Sequence, residues 1–203
     1  MAEFINRGEI DNFIETVNRA LKVMLALCIP VAVLLALTTR PLAGSFFGYD
    51  AARLDLLTSC TWAFLLGLVG DTWLEVAVRS FYAHQNTRTP LIAAFSQVTA
   101  FIVLSSILSP VIGLAGIPLS AALTFSTQAI VLLGILNRRY PGLLQLGTTL
   151  PRAFFSALLA GTVTFLLMNR LPASVTATLT ALVIGGLICI PIIWSEIKLF
   201  LSL

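Results

Sequence analysis

Charge is what this sequence has least of. Asp, Glu, Lys and Arg make up 10% of its 203 residues, while hydrophobic types make up 58%. A soluble domain carries about 25% charged residues, so this chain has too few to cover a water-facing globule, and a mean hydropathy of +0.99 agrees. Histidine occurs once, at His84, and the three cysteines (Cys28, Cys60, Cys189) have no metal-ligand spacing with it or with one another. Each lies in or beside an apolar run and reads as a small buried hydrophobe. A net charge of +3 is too small to point to nucleic acid. The first twenty residues carry Glu3, Glu9, Asp11 and Glu15, which reads against the basic start of a secretory signal. No nucleophile–base pair, phosphate-binding glycine loop or metal cluster is present, so neither an enzyme nor a cofactor or metal site is expected.

What is abundant is the long apolar run, such as "FIVLSSILSPVIGLAGIPLSAALTF" at 101–125. Barrel strands would alternate apolar and polar residues over about ten positions. Unbroken runs, at roughly 20 residues per crossing, predict an all-α integral membrane protein with six transmembrane helices. Residues 1–20 read as an amphipathic segment on the cytoplasmic membrane surface, with Phe13, Ile14, Val17 and Leu21 on one face and an i,i+4 pair, Glu15 and Arg19, on another. Spans follow at about 21–38, 54–83, 90–109 and 114–136, then a polar connector at 137–151 and two more spans at about 152–169 and 175–194. Pro30 marks a kink, residues 39–53 a loop, and Pro172 the last turn; the second span is too long for one crossing and should tilt. The tail after residue 194 is expected at the surface.

Orientation follows from the basic residues at the helix ends. With the N-terminus cytoplasmic, the inner ends hold Arg7, Arg19, Lys22, Arg79, Arg88, Arg138, Arg139, Arg152 and Lys198; the outer ends hold Arg40, Arg53 and Arg170. Both termini are then inside. The polar island "SFYAHQNTRTP" at 80–90 becomes a cytoplasmic hairpin, with Thr89 as N-cap and Pro90 opening the next helix. Tyr82, with Phe81, suits the interface. In the helix before it, Gly67, Asp71, Glu75 and Arg79 recur every fourth residue and share a face. Asp71 lies about 18 Å of helix from the turn, inside the hydrocarbon, where ionisable groups face a bundle interior or a wet cavity. Glu75 can pair with Arg79, and Asp71 either joins that pair or carries a proton. These three are the transport-path candidates; an ion pair that merely fixes helix rotation is the other reading. Ser96, Gln97 and Thr99, with Ser120, Thr124, Ser126, Thr127 and Gln128, serve helix packing or line a wet cavity, and Ala157 with Gly161 forms a small-xxx-small pair.

The stretch "RSFYAHQNTRTPL", Arg79 to Leu91, resembles the R-x-F-Y-A-x-x-(D/N)-T-(R/K)-T-P signature of the MurJ/MviN lipid II flippases, within the multidrug, oligosaccharidyl-lipid and polysaccharide exporters. Phe81, Tyr82, Asn86, Thr87, Arg88, Thr89 and Pro90 carry it. "GLAGIPLSAALTFSTQAIVLLGILNRR" resembles another span of that family, and the likeness covers most of residues 5–140. The resemblance implies the last six of fourteen helices: four from the C-terminal lobe, spanning 21–136, plus two additional ones. It implies a lipid-linked oligosaccharide cargo such as lipid II, alternating access in a bacterial inner membrane, a lipid-tail groove over 152–194, and a missing N-terminal lobe in cis or as a partner chain. Asp71 departs from the family pattern, which is mostly apolar there; either this branch uses a carboxylate or the correspondence slips by a turn. Two alternatives stay open: another polysaccharide-lipid flippase or cation-coupled exporter of the same superfamily, and a non-transporting membrane scaffold.

Overall fold

The computed structural model describes residue 5, residues 8–171, residues 174–194 and residue 198. Pro172 and most of the C-terminal tail, both given a place by the sequence, lie outside the described residues. Seven α-helices account for the regular structure among the described residues: α1 Ile10–Phe47, α2 Ala51–Leu65, α3 Leu68–Ala83, α4 Arg88–Ile112, α5 Gly116–Arg139, α6 Thr149–Arg170 and α7 Val175–Ile192. A 3₁₀ turn, Gly113–Ala115, joins α4 to α5. Among the described residues, five stretches are long and apolar enough to cross a membrane: Ile10–Phe47, Ala51–Ala83, Arg88–Arg139, Thr149–Arg170 and Val175–Ile192. Six separate spans were expected. The difference lies in 88–139, where helix runs through Pro110 and only the short turn at Gly113 separates α4 from α5.

α1 is the spine. Its 38 residues reach about 57 Å at 1.5 Å per residue, and it touches α2, α3, α6 and α7. Two expectations change here. Residues 10–20 run straight into the first span as the first turns of α1, but their apolar face meets the core and not a membrane surface. Phe13, Val17 and Leu21 are fully buried against Leu74 and Phe81 of α3 and Leu132 and Leu136 of α5. Residues 39–47 are not loop: helix continues through Pro41 and ends at Gly48, whose left-handed backbone (φ 60°) turns its N–H onto the Gly44 carbonyl. Tryptophans on neighbouring helices fix the spine by donating to its carbonyls, Trp62 to Ala36 at 2.8 Å and Trp73 to Leu21 at 3.2 Å.

The stretch 54–83 is broken rather than simply tilted. A turn at residues 66–67 divides α2 from α3. Glycine explains the placement of α3. A Cβ on Gly67 would lie 2.5 Å from the Ala122 Cα, and one on Gly70 would lie 2.6 Å from the Ser126 Cα. The bare backbone lets α3 and α5 meet along small residues, the usual means of close helix approach in membranes. On the other side of α1, α6 and α7 pack through Ala160, Gly161, Gly185 and Cys189 against Val33 and Leu34. α4 is peripheral: it leans on α5 and barely touches α3, and Pro90 is its one buried residue.

Candidate functional site

The hairpin between α3 and α4 is built from its own residues. Gln85 takes the left-handed conformation (φ 56°). Its N–H bonds the Tyr82 carbonyl at 2.9 Å, and the Asn86 N–H bonds the Phe81 carbonyl at 3.1 Å. This is the paired closure that ends a helix on a left-handed residue. Asn86 then starts the next helix: its Oδ1 accepts from the Thr89 N–H at 3.2 Å, and its Nδ2 donates to the Thr89 hydroxyl at 2.9 Å. The cap was expected from Thr89. The helix starts earlier, at Arg88, and Thr87 at its N-cap position makes no side-chain capping bond; Asn86, one residue before it and three before the Thr89 N–H, supplies the acceptor instead. Pro90 sits in the first turn, where its missing N–H leaves no bond unmade. Phe81, placed at the interface from sequence, is in the core at 5% exposure; Tyr82 is exposed at 53%. Thr87 and Arg88 are exposed at the tip.

On the outer face of α3, Asp71, Glu75, Arg79 and Tyr82 line one groove of about 610 Å³, walled by Leu74, Val78 and Phe125. Glu75 and Arg79 are paired at 2.9 Å, and both are largely exposed. Asp71 does not join them. Among the described residues nothing donates a hydrogen bond to its carboxylate or pairs with it, and it is half-buried one turn after the α2–α3 break. The groove thus offers a neutralised pair toward the hairpin and an unmatched carboxylate deeper in. No group of three or more His, Cys, Asp or Glu able to hold a metal occurs among the described residues.

The family model described as "MurJ: Lipid II flippase MurJ" matches residues 1–186. The chain belongs to the MurJ lipid II flippase family. It is similar to the "Probable lipid II flippase MurJ" of Bdellovibrio bacteriovorus, 23% identical over 146 residues, which cover 70% of this chain and 28% of that protein. It is also similar to the "Lipid II flippase MurJ" of Burkholderia cenocepacia, 27% identical over 122 residues, covering 59% of this chain and 24% of the relative. The matched stretch therefore spans about a quarter of these relatives. The MurJ family is one of membrane transporters, not of enzymes, and this chain is a multi-pass member of it.

Other features of this MurJ-family chain were not read from sequence. His84, taken only as a turn residue, closes an aromatic cluster at the hairpin end. Its ring stacks on Tyr140 at 5.0 Å and 10°, and meets Phe13 edge-on at 4.8 Å. The Tyr140 hydroxyl lies 3.4 Å from His84 Nδ1, while His84 Nε2 is buried with no partner among the described residues. Burial, and then the nearby Arg139 guanidinium, holds the imidazole below its ordinary proton affinity. The connector 137–151 is not merely polar. Leu143 is fully buried in the main core, and its carbonyl accepts from the buried Asn18 Nδ2 at 2.8 Å. The only sequence signal was an Asn on the apolar face of a helix, which needs a partner when buried.

Proposed function

We propose that the chain supplies six membrane crossings of a lipid II-type flippase. It would sit in a bacterial inner membrane with both termini cytoplasmic and work by alternating access with the lobe its relatives carry in addition. The match to the family over residues 1–186 carries this reading. The division of 88–139 at Gly113, with α4 and α5 packed on each other, supports six crossings. The excess of Lys and Arg at the hairpin end supports the orientation. The unmatched Asp71 in its groove supports a polar path, since an unpaired carboxylate at that depth is costly unless it faces water or cargo. The outward aromatic and aliphatic residues of α6 and α7, among them Phe155, Leu158, Phe165 and Val183, suit a polyprenyl tail.

The test is genetic and biochemical. Cells depleted of their resident lipid II flippase should resume cell-wall synthesis when given the complete protein that contains this segment. Asp71→Asn in that protein should lower lipid II transport while leaving its membrane level unchanged. Restored growth with wild-type transport by the variant would reduce Asp71 to a structural residue. No rescue, together with restoration of a lost surface polysaccharide in a suitable mutant, would assign a different lipid-linked cargo.

A further inference from the structure

A second cleft, mostly apolar in surface with a few polar groups, lies on the other side of α5 from the Asp71 groove. Between α4 and α5 is a cleft of about 240 Å³ whose polar lining is Ser96, Gln97, Thr124, Thr127 and Gln128. It contains no charged residue. Gln97 is about 14 Å along α4 from its start at 1.5 Å per residue, so the cleft sits within the apolar stretch.

The hydrogen-bonding state of this lining is incomplete. Thr124 and Thr127 give their protons to carbonyls of their own helix, Thr124 to Ser120 at 2.9 Å and Thr127 to Leu123 at 2.7 Å, which leaves oxygen lone pairs free. Ser96 and Gln97 have no side-chain hydrogen bond among the described residues. Gln128 is more than nine-tenths buried, and its Oε1 has no partner. Buried amide oxygens are almost always bonded; this one is itself sealed from solvent, on a side chain that borders the cleft. Rotation about the soft terminal torsion of Gln brings either end of the amide to the opening. The lining thus presents free acceptors and unspent amide donors, and no counter-charge for an ion. Its volume is several times the roughly 30 Å³ that one water occupies in the liquid.

We propose that this cleft binds an uncharged, hydroxyl- and amide-bearing group the size of a sugar ring, the carbohydrate part of a lipid-linked cargo. The inference rests on the flippase reading and gives it a headgroup subsite apart from the Asp71 groove. Charge recognition and sugar recognition then fall on different flanks of α5: the groove touches Phe125, and the cleft is lined by Leu123, Thr124, Thr127, Gln128 and Val131.

The experiment compares two probes, lipid II and undecaprenyl pyrophosphate, which share tail and pyrophosphate and differ in the sugar-peptide. Both are titrated by native mass spectrometry against the complete purified protein that contains this segment, in lipid nanodiscs. The wild type should retain lipid II about tenfold more tightly, the effect of one or two hydrogen bonds. Gln128→Leu should bring the ratio near one without changing undecaprenyl pyrophosphate binding. Thr127→Val, at an exposed position that leaves the core intact, should lower the ratio in the same sense and serves if Gln128→Leu fails to fold. A wild type that binds both lipids equally, or variants that keep the wild-type ratio, would overturn the sugar site and leave the flippase reading standing. Equal loss of both lipids in the variants would show that the cleft is structural. A wild type that binds neither lipid would bring down both proposals.

Discussion

At the scale of single residues, the hairpin shows how a short motif works as a turn. Gln85 holds a left-handed backbone that costs an L-residue about 1–2 kcal/mol. Gln85→Gly should therefore stabilise the protein by about 1 kcal/mol, read as a higher unfolding temperature in detergent. Asn86 serves two helices, ending α3 with its N–H and starting α4 with its side chain. Asn86→Ala should cost about 1 kcal/mol, as lost caps generally do. His84 makes the third prediction. Its folded-state proton affinity is lowered by burial and by Arg139, so the unfolded chain, with a pKa near 6.5, binds the extra proton more readily. The His84 contribution should be fully present above about pH 6.5 and lost as pH falls through the lower folded value. Thermal unfolding between pH 7.5 and 5 should show this loss, and His84→Phe should flatten it. Of these details, the turn itself and a helix beginning within two residues of Pro90 were legible in "HQNTRTP"; the start at Arg88 and the capping bond from Asn86 were not, because both Asn86 and Thr89 can cap and only the backbone path selects between them.

At the scale of elements, apolar runs located the helices but not their breaks. Residues 39–47 contain Arg40, Pro41 and Gly44, which read as loop, yet the helix passes through them. Thr38 and Thr39 donate to the carbonyls of Leu34 and Leu35, and Trp62 to that of Ala36, so side-chain donors reinforce the turn before the proline. Conversely, 54–83 read as one long span and is divided at residues 66–67. Hydropathy is blind to such a break, since Leu65, Leu66 and Leu68 are as apolar as any helix interior. The contact of Gly67 and Gly70 with Ala122 and Ser126 depends on a partner helix more than fifty residues away. Gly70→Val would force side-chain atoms into the α5 backbone and should cost about 1–3 kcal/mol, as overpacking does. Gly186→Ala, facing open space, should be close to neutral in the same unfolding assay.

At the scale of the whole molecule, the connector and the spine decide how the parts hold together. Leu143 closes the main core from a segment that read as polar linker, and Asn18 ties its carbonyl to α1. Leu143→Ala should destabilise the chain by about 2–5 kcal/mol, far more than a substitution in a free connector, and detergent unfolding measures it. By itself the sequence determined the class, the approximate positions of the apolar stretches, the family-like hairpin and the Glu75–Arg79 pair, because each follows from composition or from spacing within one helix. Only the tertiary structure decided that the first turns of α1 are core, that Asp71 stands apart from the ion pair beside it, and that Gln128 lies buried beside the α4–α5 cleft with its Oε1 unpartnered among the described residues. Those facts depend on which helix faces which, and local periodicity gives a helix a face without naming what it meets.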